Sequence, residues 1–149
     1  MRAVIQRVSR AEVWVEQQAT GAIGTGLVAL IGIHRSDTEK DLLWMADKIQ
    51  HLRIFDDVNG VMNRSLADIS GELLVVSQFT LHGDCRKGRR PSWHGAAPPE
   101  QARHLYERFL ALCKERNLAI QSGTFQADMH LSLTNSGPVT ILLDSHKIF

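Results

Sequence analysis

Two segments of this chain carry consecutive apolar residues, with no alternation: Leu27-Val28-Ala29-Leu30-Ile31-Gly32-Ile33, and Leu73-Leu74-Val75-Val76 at the head of the run from Leu73 to Phe79. A strand with one face in water alternates; a strand with no polar face needs cover on both sides. The first run is followed by Ser36-Asp37-Thr38, which offers helix caps, and by Glu39 and Asp41 in a first turn. Leu42, Met45, Ala46, Ile49 and Leu52 then recur at helical spacing. The second run leads, through an irregular stretch from His82 to Pro98, to Pro99, well placed to open a helix. Ala102, Leu105, Tyr106, Phe109 and Cys113 line one face of it down to Asn117. Strand–helix repeated twice, with strands on either side, specifies one α/β domain over residues 1–149, a curved mixed β-sheet packed with two helices.

The flanking strands are legible from period-two patterning. Ala3 to Val8 alternates and continues through Ala11 to Val15; a turn at Glu16 to Ala19 precedes a short return strand, and Gly24-Thr25-Gly26 breaks the chain again. Arg53-Ile54-Phe55 reads as a short strand before the hairpin signal Asn59-Gly60. Ile120 to Phe125, Met129 to Leu133 and Val139 to Leu143 are expected to form three final strands.

Composition excludes several function classes. With 149 residues, 44% of them hydrophobic and 22% charged, the chain reads as globular. The longest apolar run is too short to span a bilayer, and the N-terminal segment has no continuous apolar core of a secretory signal. Two unframed cysteines, Cys85 and Cys113, fit a reducing, cytoplasmic setting. A net charge of +1 rules out grip on nucleic acid by bulk attraction. No glycine-rich phosphate loop follows either buried strand, so a nucleotide-cofactor site is not expected.

Four places could carry chemistry. Ser77-Gln78-Phe79-Thr80 stands where an apolar strand runs into the long irregular stretch, offering hydroxyls, an amide and turning backbone N–H groups for an oxyanion; it could equally finish the strand with turn-type hydrogen bonds. Asn135-Ser136-Gly137-Pro138-Val139-Thr140 could be a plain turn between strands, or, with a cis Gly-Pro bond, a pair of rigid carbonyl acceptors for an ammonium group. Arg86, Lys87, Arg89 and Arg90, with Trp93 and His94 close behind, could be a phosphate-binding patch with a stacking partner or a solvated basic loop. His82, Asp84 and Cys85 invite a thiolate or metal reading, but no second ligand pair at metal spacing accompanies them. No Ser-His-Asp arrangement presents itself.

Taken together, Met1-Arg2-Ala3-Val4-Ile5-Gln6-Arg7-Val8, Leu52-Arg53-Ile54-Phe55, Gly71 to Leu81, Arg86 to Ser92, Ala127-Asp128-Met129 and Asn135 to Thr140 resemble the D-aminoacyl-tRNA deacylases over essentially the whole length. That resemblance implies a homodimer acting on aminoacyl-tRNA, without cofactor, metal or membrane. It implies that a cis Gly137-Pro138 enters the partner subunit's active site and faces Ser77, Gln78, Phe79 and Thr80. Ala102, Phe125 and Met129 would line the pocket for the terminal adenosine and aminoacyl group, and Arg7 would fix the inserted motif. Arg86, Lys87, Arg89 and Arg90 would contact tRNA. Ser136 departs from the aspartate expected at its position and leaves the Gly-Pro pair intact. Rival readings are a non-catalytic nucleic-acid-binding module using loop 86–90 and a thiol hydrolase built on Cys85.

Overall fold

A computed structural model describes residues 1–149. Its spine is β1 (Arg2–Val15), which turns through Glu16 and Gln17 into β2 (Gln18–Ile23), and then β3 (Gly26–Gly32). β1 pairs antiparallel with β3 along Arg2 to Val8 and with β2 along Ala11 to Val15. Helix α1 (Glu39–His51) leads to a small hairpin of β4 (Phe55–Asp56) and β5 (Met62–Arg64), followed by β6 (Glu72–Ser77). A 3-10 turn (Phe79–His82) and the long connection precede helix α2 (Pro99–Glu115), then β7 (Ala119–Ser122) and β8 (His130–Asp144). The main sheet runs β2-β1-β3-β6-β7, with β3, β6 and β7 parallel, and β8 closes on the other edge of β1.

The two non-alternating runs are the parallel pair β3 and β6, in the register Leu27↔Leu73 to Ile31↔Ser77. Leu27, Ala29, Ile31, Leu73 and Val75 face the helices and pack with Leu42, Met45, Ile49, Tyr106 and Phe109. The opposite face, with Val28, Leu74 and Val76, is covered by the sheet curling on itself, through Val8, Val13 and Ile23 and the flanking Leu131 and Leu133. The anticipated two-helix α/β architecture is the one observed.

Helix α1 takes Thr38 as its N-cap, and Thr38 and Asp41 bond each other's backbone N–H groups reciprocally. Asp37, offered by the sequence as an alternative cap, is buried instead, accepting the His34 N–H at 2.6 Å and lying 3.1 Å from His146 Nε2.

The C-terminal third departs from expectation. The segments read as Met129–Leu133 and Val139–Leu143 are one strand, β8, and β7 ends at Ser122, so two strands replace three. The cause lies in the pairing with β1. Gln6 opposes Thr140 and Val8 opposes Asn135, so Arg7 alone faces residues 136 to 139. Pro138 has no N–H to give the ladder, and β8 bulges there before resuming its register. Asn135 closes the bulge: its Oδ1 accepts the Val139 N–H at 2.8 Å and its Nδ2 donates to Thr140 Oγ1 at 3.0 Å.

Candidate active site

β6 delivers Ser77 to the C-terminal end of the parallel sheet, where the Gln78 N–H still bonds the Ile31 carbonyl at 2.7 Å. The strand stops there, two residues before the expected end at Phe79. The Leu81 N–H turns back to the Gln78 carbonyl at 3.2 Å and the Gly83 N–H to the Thr80 carbonyl at 3.0 Å. The opening N–H groups of such a turn, at Phe79 and Thr80, have no partner within it. The Gln78 side-chain amide donates to Thr80 Oγ1.

Beside this turn opens a cavity of about 700 Å³, in the range typical of small-molecule sites. Ser77, Gln78 and Phe79 border it, as do Ala102 and Tyr106 of α2 and the residues Phe125 to Met129 that connect β7 to β8. Its walls are set by local contacts. The Tyr106 hydroxyl donates to the Val75 carbonyl at 3.0 Å, and the same oxygen accepts the Gly123 N–H at 3.1 Å. Burial pushes the Tyr106 phenol above its ordinary range, so it stays protonated. Phe125 lies between Tyr106, with centroids 5.7 Å apart, and the Arg103 guanidinium at 4.8 Å, which also bonds Gln126. Gly123 admits Met129, whose sulfur would stand 2.6 Å from any Cβ placed there. Among the lining residues the ionisable groups are Tyr106 and the exposed Asp128.

Of the sequence-derived candidates, Ser77, Gln78, Phe79, Ala102, Phe125 and Met129 therefore meet around one cavity. Thr80 is exposed at the same turn but outside the lining. Gly137 and Pro138, joined by a cis peptide bond, are exposed on the β8 bulge and do not line the cavity of their own chain. Arg7 Nε donates to the Ser136 carbonyl at 3.0 Å, and its Nη1 donates to the Ile54 carbonyl at 2.7 Å. The Ser136 contact is made by backbone, so serine in place of aspartate does not disturb it.

In the basic loop, Arg86 is bound bidentately by Asp84 at 2.9 and 2.7 Å, and Arg86 in turn holds the Asp84 carboxyl down to about 2. Lys87, Arg89 and Arg90 are exposed and make no ion pair. Cys85 is exposed and outside the cavity; Cys113 is buried, its thiol pushed up to about 12 by desolvation. His34, Asp37 and His146 offer atoms within 4.8 Å of one another, the nearest approach to a metal-ligand set, away from the cavity lining. Tyr106 in the lining and Gly123 beneath Met129 were not assigned by sequence patterning: Tyr106 read as ordinary helix core, and Gly123 carried no signal; Trp93, expected as a stacking partner of the basic loop, stands in the lining itself.

A family model described as D-Tyr-tRNA(Tyr) deacylase matches residues 4–144. The chain belongs to the D-Tyr-tRNA(Tyr) deacylase family. It is 57% identical to the D-aminoacyl-tRNA deacylase of Thermotoga petrophila and 58% identical to that of Thermosipho africanus, over all 149 residues and the full length of each. Among solved structures it is similar to the c-Myc DNA Unwinding Element Binding Protein, with a TM-score of 0.92 and 44% identity over 97% of this chain and 98% of the other. A probable eukaryotic D-amino acid tRNA deacylase shares the fold, at a TM-score of 0.84 and 18% identity over 95% and 97% of the two chains. Membership makes the chain an ester hydrolase of the deacylase type. No helix is long and apolar enough to cross a membrane.

Proposed function

We propose that this chain hydrolyses the ester bond of D-aminoacyl-tRNA, releasing the D-amino acid and tRNA, as a homodimer in which each subunit completes the other's site. The observation that carries this reading is the placement of the Gly137-Pro138 bulge. It is exposed, tied down by Arg7 and Asn135, and outside its own cavity, on a strand whose second edge is unpaired. On this reading a second copy meets that edge and takes the bulge at its cavity mouth.

The stereochemistry follows from geometry. With the α-ammonium held by carbonyl oxygens of Gly137 and Pro138, and the ester carbonyl held by the Phe79 and Thr80 N–H groups, the side chain has one direction left. For the D form that direction is open; for the L form it meets the partner's backbone. Exclusion by backbone discriminates more sharply than a missing methylene, which gives about 10–200-fold. Glycine has no side chain to exclude, so glycyl-tRNA is a second substrate.

The cavity offers no histidine, lysine or cysteine as a base. The 2′-hydroxyl of the substrate's terminal ribose activates the attacking water, and the protein supplies position and the oxyanion contacts. Turnover of D-tyrosyl-, L-tyrosyl- and glycyl-tRNA tests the reading: hydrolysis of the first and third with the second untouched is expected, and equal turnover of the mirror-image pair sinks it.

A second reading, a nucleic-acid-binding module without catalysis, draws on the name of the 44% identical neighbour and on loop 86–90. Tight duplex-DNA binding with no ester turnover would select it.

A further inference from the structure

We propose that Trp93, with Phe79, is a stacking shelf for the base of the nucleotide preceding the terminal adenosine, which restricts the substrate to an unpaired 3′ end. The inference rests on the deacylase reading and deepens it by naming the form of nucleic acid the site accepts. Both rings border the cavity, yet 41% of Trp93 and 56% of Phe79 remain exposed, and the rings meet edge to face with centroids 5.4 Å apart at 70°. Two large aromatic faces left in water beside a pocket are an unfilled contact surface.

The shelf is built to hold its shape. Gly83 lies directly under the indole, where a Cβ would stand 2.7 Å from Trp93 Cζ3. Asp84 and Ser92 exchange backbone hydrogen bonds at 2.8 and 2.9 Å, and the Ala96 N–H bonds the Trp93 carbonyl at 3.0 Å. The Asp84–Ser92 bridge closes a loop whose tip carries Lys87, Arg89 and Arg90, while Arg86 is spent on Asp84 inside that loop. The apolar pocket and its aromatic rim are thus joined in the chain to three unpaired cations that lie outside the cavity lining.

A single strand has its reactive nucleotide first, the next base second and its phosphates beyond, and sites for single strands pair aromatic platforms with cationic tracks in this way. A base inside a duplex has both faces covered by its own stack and cannot lie on the indole. The terminal nucleotide of a tRNA and its neighbours are unpaired, so they meet this requirement.

The test compares two substrates on the full-length protein: D-tyrosyl-tRNA, and the D-tyrosyl ester of adenosine, which ends before the shelf. For Trp93→Ala the ratio of kcat/KM between them falls about tenfold, whereas Trp93→Phe, which keeps a stacking face, holds it within about threefold. In parallel, calorimetry with unacylated cytidylyl-cytidylyl-adenosine and with adenosine should show Trp93→Ala weakening the trinucleotide about tenfold more than the nucleoside. An unmoved ratio, or equal weakening of trinucleotide and adenosine, overturns the shelf. If the unmodified protein hydrolyses neither ester, the deacylase reading fails, and the trinucleotide measurement still decides the shelf by itself.

Discussion

Thr80 stands exposed at the turn after β6, its hydroxyl oxygen accepting a hydrogen bond from the Gln78 amide. A hydroxyl with no adjacent base is a poor nucleophile. Thr80→Ala is therefore expected to keep measurable deacylation, with a loss smaller than about 10²-fold. Complete loss in a folded variant that still binds tRNA would assign Thr80 a covalent role. His82, two residues on, is buried, its Nε2 without a hydrogen-bond partner. Desolvation lowers its pKa, and Arg2 and His34 push in the same direction. The folded chain then binds fewer protons than the unfolded one below about pH 6.5, so stability is lost as the pH is lowered through that range. Urea midpoints should drop between about pH 7.5 and about pH 5, and less so in His82→Leu. His34, also shifted downward by burial, keeps part of the dependence in that variant.

At the scale of elements, the parallel pair β3–β6 sets where the site residues stand. The pair begins at Gly26, where a Cβ would lie 1.9 Å from the Glu72 carbonyl oxygen. That neighbour is backbone of the partner strand and cannot move without opening the ladder. Gly26→Ala is expected to cost about 3 kcal/mol, read as a lower denaturant midpoint with unchanged slope. The other decisive element is the β8 bulge. Gly137 sits at φ +128°, with Arg7 3.0 Å from any Cβ added there. A side chain at that position would be strained and would press on the guanidinium that fixes the motif.

For the whole molecule, the proposed dimer predicts intersubunit complementation. Gly137→Ala distorts the donated motif and Ala102→Trp fills the receiving cavity, so each variant alone should be inactive. Mixed dimers pair the intact cavity of one with the intact motif of the other. In an equal mixture exchanged to equilibrium, half the dimers are mixed and one of their two sites is complete, so deacylation should return to about a quarter of the unmodified level. No recovery, with exchange verified by sedimentation, would show that the bulge does not act in trans.

Several features were open to reading from the residues alone. The doubly apolar runs required a sheet covered on both faces, and the spacing from Leu42 to Ile49 and from Ala102 to Cys113 required two helices, because burial is periodic in sequence whenever an element is regular. Ser77 and Gln78 were legible as a strand end for the same reason. Tertiary structure decided what has no local period. The continuity of β8 across residues 136 to 139 depends on Arg7 and on pairing with β1, more than a hundred residues away in the chain. The cavity depends on Tyr106 meeting the Val75 carbonyl and Gly123 making room for Met129. The capture of Arg86 by Asp84 could have been guessed from their spacing, but the turn that brings Trp93 back against Gly83 and Phe79 could not. Such contacts join segments whose separation is set by the path of the fold, and nothing in the neighbouring sequence records it.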